Sequence, residues 1–184
     1  MKILALSGSL RAGSYNTALA RAARELAPAG VEVELYDALA ALPPYDADTD
    51  GDGEPVAVRE LRRQIHDADA LLFVTPEYNG SIPGVLKNAV DWASRPHRAA
   101  ALSGKTVAVA GATPGQYGAI WAQQDLRRVL GIAGARVIEG ELPVARAHDA
   151  FDEAGRLTDS AVADRLRRHL ETLVIEAVPV PAAA

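Results

Sequence analysis

Five short apolar runs recur along the chain, at residues 2–7, 31–36, 70–75, 106–111 and 135–139. Two of them, Ile3-Leu4-Ala5-Leu6 and Leu71-Leu72-Phe73-Val74, are apolar at every position. A strand with one wet face alternates, whereas a strand covered on both faces reads as a continuous apolar run. Between the runs the spacing changes to that of helices. Leu19, Ala23 and Leu26 share one helical face, as do Val58, Leu61 and Ile65, and then Leu86, Ala89, Val90 and Ala93. Leu126, Val129 and Leu130 form a fourth stripe, and Val162, Leu166, Leu170 and Leu173 close the chain. Alternating strand and helix predicts right-handed crossovers and a parallel sheet between two helical layers. Five strands and five helices predict a flavodoxin-like, doubly wound α/β sandwich with strand order 2-1-3-4-5. Residues 1–178 are expected to form that one domain, with 179–184 as a frayed tail.

In such a sheet, ligands bind beyond the carboxyl ends of the strands, near the point where the winding reverses. The three segments predicted to lie there have unusual sequences. After the first strand comes Ser7-Gly8-Ser9-Leu10-Arg11-Ala12-Gly13-Ser14-Tyr15-Asn16, leading into a helix. Small residues allow a tight turn, and a helix start offers free N–H groups at a positive dipole end. Ser9, Ser14 and Asn16 add polar side chains and Arg11 a fixed cation, a set suited to a phosphate monoester. It is not a P-loop, because Ser14-Tyr15 stands where Lys followed by Ser or Thr is required. Nor is there a G-x-G-x-x-G fingerprint. The segment alone is also compatible with Ser14 as a helix cap beside a solvated arginine.

After the third strand, Thr75-Pro76-Glu77-Tyr78-Asn79-Gly80-Ser81-Ile82-Pro83-Gly84 forms a loop stiffened by two prolines. Tyr78 and the amides of Asn79 and Gly80 are placed to hold a planar ring, although Tyr78 also suits plain loop packing and Glu77 a surface carboxylate or a partner for a nearby backbone amide. After the fourth strand comes Ala112-Thr113-Pro114-Gly115-Gln116-Tyr117-Gly118, whose glycines let backbone N–H groups approach a ligand. Those amides and the helix start behind them suit negative charge on the edge of a ring; a simple strand-to-helix turn explains the segment equally well. Together the three describe a phosphate pocket joined to a flat slot, which fits FMN.

The stretches GSLRAGSYN (8–16), TPEYNGSIPGVLKNAVDWASRP (75–96) and ATPGQYGAIWAQQDLRRVL (112–130) resemble the NADPH-dependent FMN reductase family, which includes quinone, chromate and azo-dye reductases. The segment Asp152-Glu-Ala-Gly-Arg-Leu-Thr-Asp159 extends the resemblance to the last helix. The resemblance implies that Ser9, Arg11, Ser14, Tyr15 and Asn16 bind the FMN phosphate. It implies that Pro76, Glu77, Tyr78 and Asn79 line the isoalloxazine ring and ribityl chain, with Thr113, Pro114 and Gly115 at the other edge. It further implies NADPH or NADH as co-substrate, a small-molecule electron acceptor, a homodimer or homotetramer, and no catalytic acid or base, since the flavin carries the chemistry. Trp121 stands where relatives commonly have arginine, which affects the expected subunit contacts and acceptor preference.

Composition narrows the field further. The chain has no cysteine, which excludes disulfides, thiolate nucleophiles and iron–sulfur clusters. The net charge of −5 gives no electrostatic footprint for nucleic acid or an anionic membrane. No apolar run reaches the roughly 18 residues that span a bilayer, and the start lacks the long apolar stretch of a signal peptide. Met1 is therefore expected to be the mature start and the cytoplasm the location. Asp46, Asp48, Asp50 and Gly51 match part of a calcium loop, but Ala57 occupies the position of the bidentate Glu and Pro43-Pro44 replaces the preceding helix. A mobile acidic loop near the pocket mouth is expected instead. His66, His97, His148 and His169 lack ligand spacing, and no metal is expected.

Overall fold

The first four apolar runs become the strands β1 (Lys2–Ser7), β2 (Glu32–Tyr36), β3 (Ala70–Val74) and β4 (Thr106–Ala112). The structure is a computed structural model describing residues 1–51, 53–97 and 99–178. All pairings are parallel, in the order β2-β1-β3-β4-β5, with a sixth strand also on β4. Every residue of β3 and β4 is buried.

Among the described residues, six α-helices accompany the sheet: α1 (Tyr15–Glu25), α2 (Val56–Asp67), α3 (Gly84–Ala93), α4 (Ile120–Ile132), the short α5 (Ala147–Ala150) and α6 (Ser160–Ala177). Alternate strand residues feed two cores. Ile3, Ala5, Leu72 and Val74 pack with Leu19 of α1 and Leu166 and Leu170 of α6. Leu4, Leu6, Leu71 and Phe73 pack with Leu61 and Ile65 of α2, Leu86 and Trp92 of α3 and Leu126 of α4. Two buried faces explain why the strand sequences do not alternate.

The fifth run departs from expectation. Instead of one strand at 135–139 there are two short ones, β5 (Arg136–Val137) and β6 (Leu142–Val144), each parallel to β4. Ile138 still donates to Val107 O (2.9 Å), after which the chain bulges through Gly140 at φ 84. Side chains replace the missing rungs. His169 Nε2 meets Val109 O at 3.0 Å, and Arg127 Nη1 donates to the carbonyls of Ile138 (2.6 Å) and Gly140 (2.9 Å). The buried Gln123 accepts from Leu142 N (3.0 Å) and donates to Gly118 O (2.8 Å). Buried backbone groups demand such partners, and here helices supply them.

The acidic loop after β2 is held, not loose. Trp92 Nε1 and Asn88 Nδ2 both donate to Pro43 O (2.8 Å each), and Asn88 Oδ1 accepts from Tyr45 N. Arg62 donates to Asp50 (2.8 Å), to Glu54 and twice to Trp92 O (3.0 and 2.9 Å). Asp46 caps the 3₁₀ turn Ala47–Thr49. Asp50 and Glu54 thus serve as partners for a mostly buried guanidinium. Asp52 and the tail at 179–184 lie outside the described residues. Among the described residues, no helix is long and apolar enough to cross a membrane.

Candidate functional site

Because the strands are parallel, the segments following β1, β3 and β4 all emerge at one edge of the sheet. The first wraps closely onto the second. Gly8 N donates to Val74 O (2.8 Å), and a Cβ on Gly8 would lie 2.9 Å from Leu86 Cδ2 and 3.2 Å from Pro76 Cδ. Glycine is needed at that position for want of space.

Beyond Gly8, the loop's hydroxyls support its own shape. Ser7 Oγ lies 2.9 Å from Thr17 Oγ1, Ser9 Oγ accepts from Arg11 N (3.4 Å), and Ser14 caps α1 by accepting from Thr17 N (3.3 Å). Among the described residues, the main-chain N–H groups of Gly13, Ser14, Tyr15 and Asn16 have no acceptor. This run of free donors at a helix start, beside the exposed Arg11, is the donor set that an anionic oxygen cluster requires. Tyr15 packs against Phe151, ring centroids 5.8 Å apart. Asn16 is buried, and both ends of its amide are committed to one residue across the site: Nδ2 donates to Ala112 O and Oδ1 accepts from Ala112 N, each at 2.9 Å. It ties the first loop to the start of the third. Beside the loop, a cleft of about 310 Å³ is bounded by Ser9, Arg11, Thr17, Arg21 and Asp37.

The second loop leaves β3 through buried Thr75 and Pro76. Tyr78 and Ser81 then exchange two backbone hydrogen bonds (3.0 and 3.1 Å) around Asn79 and Gly80, at φ 54 and 75. Positive φ at both central residues is the requirement of a type I′ hairpin, and Asn-Gly is its preferred sequence. The Asn79-Gly80 dipeptide carried this signal. Tyr78, at the turn's shoulder, is 47% exposed, leaving its ring free to meet a ligand. The hairpin is fastened to α4 at both ends. Glu77 Oε2 accepts from the amides of Trp121 (3.1 Å) and Ala122 (3.2 Å), and Ser81 Oγ donates to Asp125 Oδ2 (2.5 Å). The Ser81 hydroxyl first, and then Arg128, hold the Asp125 carboxyl below the usual carboxylate range.

The third loop is braced from β6. Thr113 N donates to Val144 O (3.0 Å), Arg146 N to Gly115 O (2.9 Å), and Gly115 N to Thr113 Oγ1 (3.3 Å). Gly118 and Ala119 are both left-handed, at φ 60 and 61. A Cβ on Gly118 would lie 2.7 Å from Pro143 Cβ and from Val144 N, so only glycine serves. Past it, Tyr117 and Trp121 form an exposed aromatic pair, centroids 4.8 Å apart. Helix α4 thus starts at the end of the third loop, but the amides of Trp121 and Ala122 in its first turn are already engaged by Glu77 rather than free to meet a ring edge. A larger cavity, about 500 Å³, lies elsewhere, between α3 and α4.

Of the residues singled out from sequence, Ser9, Arg11 and Ser14 lie on the first loop, and Tyr15 and Asn16 on the first turn of α1 that follows it. Pro76, Glu77, Tyr78 and Asn79 share the second loop, and Thr113, Pro114 and Gly115 the third, all three at the same sheet edge. The Asn16 clamp and the brace from β6 lay outside the sequence expectations; for Glu77 a backbone-amide partner is among the readings open from sequence, and the structure identifies the amides as those of Trp121 and Ala122.

The sequence profile of the NADPH-dependent FMN reductase family matches residues 1–149. An NAD(P)H-dependent FMN reductase of Pseudomonas aeruginosa is 44% identical over 174 residues, covering 94% of this chain and 93% of that protein. A quinone reductase of Pseudomonas putida is 40% identical over 153 residues, covering 83% and 82%. Among solved structures, the flavoenzyme NAD(P)H:(acceptor) oxidoreductase FerB from Paracoccus denitrificans superposes with a TM-score of 0.84 at 35% identity, covering 96% of each chain.

Proposed function

The chain belongs to the NADPH-dependent FMN reductase family, and from that premise we propose that it transfers hydride from NAD(P)H to bound FMN and passes the electrons to a small-molecule acceptor. Quinones are the acceptor class favoured here, with azo compounds, chromate and free flavin as further candidates. A relative's name as a quinone reductase supports the choice. The observation that carries the proposal is the run of amides from Gly13 to Asn16 that find no acceptor among the described residues, beside the exposed Arg11 and at the sheet edge that also carries the Tyr78 hairpin.

FMN, when bound, supplies hydride acceptance and electron release; the protein's residues bind and orient. Arg11 and the amides of residues 13–16 hold the phosphate, with Ser9, Ser14 and Tyr15 shaping the loop. Ser14 and Asn16 act chiefly through their main chains, because the Ser14 hydroxyl caps α1 and the Asn16 amide is spent on Ala112. Pro76, Tyr78 and Asn79 flank the ring and ribityl chain, Glu77 contributing its backbone there, and Thr113, Pro114 and Gly115 form the opposite edge. Holding the reacting atoms in near-attack geometry is the protein's main contribution to rate. We further propose a homodimer or homotetramer.

The test is direct. Purified protein should be yellow, and anaerobic NADPH or NADH should bleach it without a second protein. A flavin that stayed oxidised would mark an electron carrier served by a separate reductase. Replacing Arg11 and Ser14 together with alanine removes the cation and the cap that shapes the loop, and should raise the FMN dissociation constant at least tenfold, about 1.4 kcal/mol of lost phosphate binding; an unchanged constant in the double variant would refute the phosphate site.

A further inference from the structure

We infer that Glu77 is a positioning residue that sets the reduction potential of the bound flavin by neutralising the positive end of α4. The inference rests on the FMN-binding reading above. A helix start carries roughly half a positive charge on its unpaired amides. In α1 and α6 the residue immediately before the helix meets them, Ser14 and Asp159. Helix α4 has no such group, because Ala119 occupies the cap position in a left-handed conformation with no side-chain oxygen. The position is also crowded: a Cβ on the adjacent Gly111 would lie 3.0 Å from Ala119 Cβ.

The missing cap arrives from 44 residues away. Glu77 Oε2 takes the Trp121 and Ala122 amides together, so a full carboxylate stands at the helix end that closes the third loop. A serine cap would have satisfied the same amides without net charge. The difference matters for redox chemistry: a bare helix start favours negative charge on a neighbouring ring, and a carboxylate placed on it removes that preference. Reduction of the flavin is thereby made less favourable, and the electrons are released more readily to an acceptor. The second tie, Ser81 to Asp125, holds the hairpin on α4 independently. Geometry and charge can therefore be separated by substitution.

Glu77→Gln keeps an acceptor oxygen and loses the charge; Glu77→Ala loses both. The Gln variant should retain FMN while its midpoint potential, measured by equilibration with redox dyes, moves positive by about 30 mV, a tenfold shift of the two-electron equilibrium. Hydrogen exchange on flavin-free protein reads the cap separately. The Trp121 and Ala122 amides should exchange at least tenfold faster in Glu77→Ala and stay protected in Glu77→Gln. A Gln variant with bound flavin and an unmoved potential overturns the charge role, as does one that loses its flavin. Unchanged exchange in the Ala variant overturns the cap. Failure of the wild-type chain to take up FMN overturns the flavin reading as well, and is recognisable because the exchange result stands apart from it.

Discussion

The amide of Asn16 does for the first helix what a ladder rung does for a strand. It offers one donor and one acceptor to Ala112, a residue 3% exposed at the end of β4, and so fixes the distance between the first loop and the third loop. Removing it strands a buried N–H and a buried C=O, each costing about 1–3 kcal/mol. Asn16→Ala is therefore expected to lower unfolding free energy by about 2–4 kcal/mol, measured by urea titration of the flavin-free protein; a loss under about 0.5 kcal/mol would show the clamp to be idle. An asparagine in a Gly/Ser-rich stretch points toward a ligand or a cap when only its neighbours are known. Its partner lies 96 residues on, and Glu77's lies 44 residues on. Such pairings depend on tertiary distance, which no local pattern encodes. The loops themselves were legible because glycine, proline and serine mark them locally.

At the scale of elements, the strands buried on both faces were the most readable parts of the chain. The broken fifth strand was not. Residues 135–139 read as one run, while Pro143 within Leu142–Val144 argues against a strand from sequence alone. The break makes His169 structurally important. A carbonyl only accepts, so the ring must present Nε2–H to Val109 O. Burial pushes the pKa of His169 below its ordinary 6.5, and Arg127 and Arg165 push the same way against the Val109 carbonyl. A base with a depressed folded-state pKa binds fewer protons than in the unfolded chain. Its contribution to stability is thus present above about pH 6.5 and is lost as pH falls from there through the folded pKa. The melting temperature should therefore decline as pH falls below about 6.5, starting above the range where most carboxylates titrate. His169→Gln keeps a donor and should flatten that decline; an equally steep slope in the variant would assign the effect elsewhere.

At the scale of the whole molecule, the cavity of about 500 Å³ lies away from the three loops, on a face formed by α3 and α4. Its apolar floor includes Val90, Val129 and Ile132, the last 77% exposed. Ion pairs stand on both of its sides, Lys87–Asp91 on α3 and Asp125–Arg128 on α4. A surface with both charge signs around an apolar centre suits an isologous contact, in which each patch meets its own copy. Sedimentation should therefore give at least twice the chain mass. Ile132→Asp should shift the protein toward monomer while leaving the melting of the isolated chain within about 0.5 kcal/mol; an unaltered assembly would move the contact to another face. The broken fifth strand has a further consequence at this scale. Intermolecular β-pairing needs a long, flat rim, and here one rim is two stubs of two and three residues. The opposite rim, β2, is five residues long and carries the exposed Glu32 and the Glu34–Lys2 pair. Neither border is a good template for fibril growth, so concentrated solutions should resist gelation even when stripped of cofactor.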